Sequence, residues 1–220
     1  MESAVIAPAN LSRIAIPPLE NGGLLSRAEF ERRYTAMPGL KKAELIEGIV
    51  YMVSPLRFEP HAEPHARLIT CIGFYVAFTP HTRIGDNPTA RLDVDNEAQP
   101  DAVLLINAQR GGQTCLSDDG YIVGAPEFIA EIAASTATID LRDKKRVYRR
   151  SMVKEYLVWQ VIDRRIDWFS LQEGRRIYFS EPRCRWNYPQ PSFSGAVAGS
   201  FSTFRWGYAK CDRYPPNRVK

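Results

Sequence analysis

The chain has 220 residues, 45% of them hydrophobic and 25% charged, which suits one ordinary globular domain able to bury a sizeable core. No apolar run approaches the roughly 18 residues that a membrane span needs. The formal charge of +4 is uneven, because residues 183–220 carry seven Lys or Arg and one acid, leaving 22 basic and 24 acidic residues in 1–182. A basic total that resides in the tail excludes little about partners. Met1 to Leu19 lacks the basic start and apolar run of a signal peptide. Cys71, Cys115, Cys184 and Cys211 form no close pair, and His61, His65 and His81 are too scattered for structural zinc. The expectation is a reduced, cytoplasmic protein.

Residues 1–22 hold Pro8, Pro17 and Pro18 without a sustained period and read as an extended arm. Ser26-Arg27-Ala28-Glu29 has the spacing of a capping box, predicting a helix from Arg27 to about Ala36. Ala43 to Val53 reads as two strands turning near Glu47-Gly48. Residues 64–78 predict a helix that starts at Pro64 and turns Leu68, Ile69, Ile72 and Val76 inward. Thr89 to Val94 reads as a strand, Asp95-Asn96-Glu97 as a turn, and Ala102 to Ile106 as a more buried strand. Residues 107–124, with Gly111-Gly112 and Asp118-Asp119-Gly120, read as a long surface loop.

The bounded apolar run 128–134 predicts a central strand. Thr138 to Met152 predicts a helix with Asp140, Lys144 and Tyr148 on one face. Tyr156 to Val161 and Ile166 to Leu171 predict a hairpin across Asp163-Arg164-Arg165. The order helix, hairpin, helix, strands, helix, hairpin gives a mixed α/β (α+β) domain over residues 23–182. The tail, 183–220, holds two of four Cys, two of four Trp and four Pro with no usable period. It is either an aromatic appendage or sequence not selected to fold, such as a disordered or frameshift-derived end.

Two acids stand out. Asp101 heads the apolar run Ala102 to Ile106, and Glu131 sits inside Phe128 to Ala134. An acid in a buried strand is costly unless something pairs with it. Two on consecutive strands suggest a shared divalent cation, which takes hard oxygen ligands. Lys144, from the following helix, supplies a cation that orients water or stabilises phosphate charge. Each residue has a blander reading. Asp101 is also a plausible strand cap, Lys144 a solvated helix residue paired with Asp140, and His65 a satisfied interior histidine.

In order, Glu44-Leu45-Ile46-Glu47-Gly48, Pro64-His65-Ala66, Gln99-Pro100-Asp101, Ala125-Pro126-Glu127-Phe128-Ile129-Ala130-Glu131, Asp140-x3-Lys144-x3-Tyr148 and Glu155-Tyr156 resemble the Uma-two family. These are bacterial restriction-endonuclease-like proteins of the PD-(D/E)XK nuclease superfamily, and the resemblance covers roughly residues 23–180. It implies a restriction-endonuclease-like core, a mixed central β-sheet flanked by helices, and a magnesium- or manganese-dependent endonuclease site acting on DNA. Carried over, Asp101 and Glu131 match the metal-binding acids. The lysine expected two residues after Glu131 is replaced by Ala133, and Lys144 matches the family's displaced lysine, with Lys145 its rival. Glu44, His65 and Tyr148 match accessory positions. The chain departs at Ser151-Met152-Val153, where the family has a Gly-Val turn, and in its tail. The alternative is a non-catalytic nucleic-acid- or partner-binding module on the same fold. A homodimer is compatible with either reading.

Overall fold

The computed structural model describes residues 16–52, 56–134, 136–172 and 178–179. The tail expected over 183–220 and residues 1–15 of the expected arm lie outside the described residues. Helix α1 (Arg27–Thr35) begins as its capping box predicts, with the Ser26 hydroxyl accepting from the Glu29 amide at 3.4 Å. Strands β1 (Ala43–Ile46) and β2 (Ile49–Met52) pair antiparallel. Between them Glu47 (φ 53°) and Gly48 (φ 75°) both take left-handed backbone, as a two-residue turn between twisted strands requires. A π-helical turn, Phe58–Ala62, leads into α2 (Glu63–Ala77).

Strands β3 (Thr82–Asp86), β4 (Ala90–Asp93), β5 (Asn96–Ala98) and β6 (Ala102–Ile106) follow. Next come a 3-10 turn at Ala108–Arg110, β7 (Cys115–Leu116), β8 (Ile122–Val123) and β9 (Phe128–Ala133). Helix α3 (Ala137–Ile139), a π-helical turn Asp140–Lys144 and α4 (Lys145–Arg150) form one continuous helical run. Strands β10 (Glu155–Gln160), β11 (Arg165–Gln172) and β12 (Tyr178–Phe179) close the described chain.

The expected mixed strands with flanking helices are present, arranged as two sheets rather than one. The first runs β2-β1-β5-β4-β8-β7 and the second β12-β11-β10-β9-β6-β3. Each mixes directions, with β4 parallel to β8 and β9 parallel to β10. Three apolar clusters give the layers. Phe30 of α1 packs with Ala43, Leu45 and Val50 on the outer face of the first sheet. Leu68 and Ile72 of α2 pack with Ala102, Ala130, Leu157 and Trp159 on the outer face of the second. Between the sheets, Ile46, Ala98, Val103, Ile129, Tyr148, Tyr156 and Val158 form the shared core. Strand alternation assigns the faces: Glu44 with Ile46, and Glu131 with Ile129 and Ala133, point into that middle layer.

Three segments differ from the sequence reading. Of Asp95-Asn96-Glu97, expected as a turn, Asn96 and Glu97 belong with Ala98 to the fully buried strand β5. Its Asn96 is satisfied, accepting from the Glu47 amide at 2.7 Å and donating to Asp93 at 2.6 Å. The expected loop 107–124 contains the short pair β7–β8, with β8 extending the first sheet beside β4. Strand β3 is an edge strand paired with β6, and its Arg83 and Gly85 conceal it from an apolar pattern. At the departure from the family pattern, Met152 holds left-handed backbone (φ 73°) just past α4, where glycine is the unstrained choice.

Candidate active site

The segment Gln99-Pro100-Asp101 joins β5 of the first sheet to β6 of the second, so it crosses where the two sheets meet. Strands β6 and β9 are antiparallel with Ala102 opposite Ala130, and one further step of that register sets Asp101 opposite Glu131. Opposed residues project to one face with closely spaced Cβ atoms. Both acids therefore enter the layer between the sheets, and both are buried. Glu44 reaches the same layer from β1, with one carboxylate oxygen accepting from the Gln99 amide at 2.7 Å.

The helical run after β9 supplies the cation. Lys144 Nζ lies 2.9 Å from Glu44 Oε2, 3.0 Å from Glu131 Oε1 and 3.6 Å from Asp140 Oδ1. Residues four apart drift round an α-helix of 3.6 residues per turn, and the wider π-helical turn at Asp140–Lys144 offsets that drift. Asp140, Lys144 and Tyr148 are consequently all buried on the inner face. Tyr148 donates its hydroxyl to Glu131 Oε1 at 2.8 Å. Lys145, one residue on, points elsewhere, its ammonium 3.7 Å from the Phe169 ring centroid. The geometry thus separates the two lysines that the sequence left open.

Asp101 has its own partners. Its Oδ2 accepts from the Ile132 amide at 2.7 Å and faces His61 Nε2 at 3.3 Å, while Oδ1 faces Lys42 Nζ at 3.2 Å. His65 Nε2 meets the Asp101 main-chain oxygen at 2.9 Å and Asp86 Oδ1 at 3.2 Å. Sequence reasoning missed Lys42 and His61 as neighbours of Asp101. Lys42 carried no pattern beyond a basic pair before a strand, and His61 is presented by a π-helical turn that no periodicity announces.

Burial alone would push the Asp101 carboxyl up, yet the His61 ring, the Lys42 ammonium and the Ile132 amide together hold it well below the usual carboxylate range. Glu131 goes the other way. Burial pushes its carboxyl up, Lys144 opposes this, and Asp101, Asp140 and Glu44 add to the rise. Lys144 is penalised by burial but held charged by Glu131, Glu44 and Asp140. Tyr148 is kept protonated by burial and by Glu131, so it remains a hydrogen-bond donor.

Four buried carboxylates, on Glu44, Asp101, Glu131 and Asp140, thus face two ammonium groups, on Lys42 and Lys144. The donor set is hard oxygen, with four carboxyl groups to two amines, and a magnesium- or calcium-like divalent cation there would favour the ionised forms of Glu131 and Asp140 that burial disfavours. Among the described residues, no three His, Cys, Asp or Glu side chains form a ready metal cage. Magnesium does not require one, since one or two carboxylates plus water and phosphate suffice.

No curated protein sequence matches the chain. In structure it is similar to a protein from Anabaena variabilis described as a "putative nuclease belonging to DUF820", at 14% identity and a TM-score of 0.50, covering 72% of this chain and 88% of that one. At that identity the likeness speaks for the fold alone. The model of the Uma2 (Uma-two) family, described as "Putative restriction endonuclease", matches residues 27–191. With that match spanning every element from α1 onward, the chain belongs to the Uma2 restriction-endonuclease-like family.

Proposed function

We propose that the protein is a divalent-metal-dependent endonuclease that hydrolyses phosphodiester bonds in DNA. Asp101 and Glu131 would hold magnesium or manganese. The observation that carries this reading is the convergence of three buried carboxyl groups on the one ammonium of Lys144 at the junction of the two sheets. Such burial is costly and calls for a compensating positive charge. When bound, the divalent cation supplies Lewis acidity, making water a better nucleophile and drawing charge from the phosphate.

The chain's own groups do the rest. Asp101 stays ionised because Lys42, His61 and the Ile132 amide favour its charged form, so one hard ligand is always ready. Glu131 is oriented by Lys144 and Tyr148, both on Oε1. Its Oε2 accepts from none of the described residues and is the oxygen offered to a cation. Lys144 is fixed between Glu131 and Glu44 and stands ready to orient the attacking water or to oppose charge gathering on phosphate. Glu44 and Tyr148 hold Lys144 and Glu131 in place, and His65 anchors the backbone of Asp101.

The test is cleavage of single- and double-stranded DNA with magnesium or manganese, using metal-stripped protein. Asp101→Asn, Glu131→Gln and Lys144→Met, each checked by circular dichroism, are expected to lose about a hundredfold or more in rate. Equal residual activity in all four proteins would contradict the assignment and favour a binding module on the same fold.

A further inference from the structure

Lys144 is placed for the attacking water or the scissile phosphate and is too enclosed to reach another phosphate of the strand. Its side chain is 6% exposed and three carboxylates enclose its ammonium group. A second cation is differently disposed. Lys42 lies just before β1 with a side chain 19% exposed, and it reaches from the first sheet across to Asp101 of the second. Its ammonium meets one carboxylate, at 3.2 Å, and the amide oxygen of Asn87, at 3.4 Å. An ammonium has three donors, so these two partners leave one to spare among the described residues.

Asn87 shows how this cation is held. The residue is exposed and has left-handed backbone (φ 49°), a conformation asparagine tolerates better than most. Its backbone amide donates to the Asp101 main-chain oxygen at 3.1 Å, and its side-chain nitrogen donates to Asp86 at 2.7 Å. Those two bonds turn the Asn87 amide oxygen toward Lys42 and keep the ammonium on the solvent side of Asp101. A divalent cation on Asp101 would compete for the same carboxylate and repel Lys42. A phosphate arriving at that cation is then the nearest anion for a compact ammonium group.

We propose that Lys42, steered by Asn87 and Asp101, is a substrate-binding residue that contacts a phosphate of the nucleic-acid strand beside the metal position. This inference rests on the nuclease reading above. It divides the cationic work, with Lys144 serving the attacking water or the scissile phosphate inside and Lys42 meeting a neighbouring phosphate at the rim.

The experiment is fluorescence anisotropy of short fluorescein-labelled single-stranded and duplex DNA, with calcium in place of magnesium to prevent cleavage, over a range of salt. Lys42→Ala should weaken binding about tenfold and lower the slope of log affinity against log salt by about one. Lys42→Arg should recover most of both. Lys41→Ala, an exposed neighbour, should bind as wild type. Wild-type affinity and slope in Lys42→Ala, whatever happens to its melting temperature, would make Lys42 a mere counter-ion of Asp101 and overturn this inference alone. Failure of the wild type to bind or cleave DNA at all would overturn the nuclease reading and this inference with it.

Discussion

Lys144 keeps its charge inside the protein because Glu131, Glu44 and Asp140 surround it, and the reverse is equally true. Removing one partner of a buried ion pair strands the others. Lys144→Met should therefore lower stability by about 3–5 kcal/mol in urea unfolding. A loss under about 1 kcal/mol would mean that the cluster is already neutralised by protonation. Tyr148→Phe is gentler: it removes one donor from Glu131 Oε1 and should cost about 1–3 kcal/mol. At this scale the sequence offered candidates and only some of their partners. Asp101, Glu131 and Lys144 could be named from run, spacing and resemblance, and one helical step of about 100° separates Lys144 from Lys145. Which groups hold Asp101 could not be read, because Lys42 and His61 are local to it only in three dimensions.

Two elements carry predictions of their own. After α4, Met152 occupies left-handed backbone, where glycine is the unstrained residue. Its side chain is partly exposed, so no packing justifies the strain. Met152→Gly should stabilise the fold by about 0.5–1 kcal/mol, the relief of a left-handed residue less glycine's entropy cost. An unchanged urea midpoint would show the strain to be absent. On β5, Glu97 packs beneath α1, where burial and then the neighbouring Glu31 raise its carboxyl from 4.5 to about 7. The folded state then binds more protons than the unfolded chain between those values, so this group's contribution to stability falls as pH rises through that window. Glu97→Gln should flatten the fall in urea midpoint between about pH 5 and about pH 8 relative to wild type. An identical slope would place the proton elsewhere. Helix α1, the β1–β2 hairpin and the β10–β11 hairpin were legible because capping, turn and alternation rules act locally. Strands β3 and β5 were not, because an edge strand and a strand led by the polar pair Asn96-Glu97 show no apolar signature.

Across the whole molecule, two sheets share one apolar layer, α1 and α2 cover their outer faces, and the charged cluster lies where Gln99-Pro100-Asp101 passes between them. The division into two sheets was hidden from the sequence, since the pairings that define it join residues far apart in the chain, such as Leu45 with Glu97 and Ala90 with Ile122. That division also brings Glu44 to Lys144 from a different sheet than Glu131. The central claim is that Asp101 and Glu131 together hold one divalent cation. Its most direct test is manganese binding followed by electron paramagnetic resonance on wild type, Asp101→Asn and Glu131→Gln. The account predicts a site in the wild type that is weakened about tenfold or more by either substitution. Manganese bound equally by all three proteins, or by none, would contradict it.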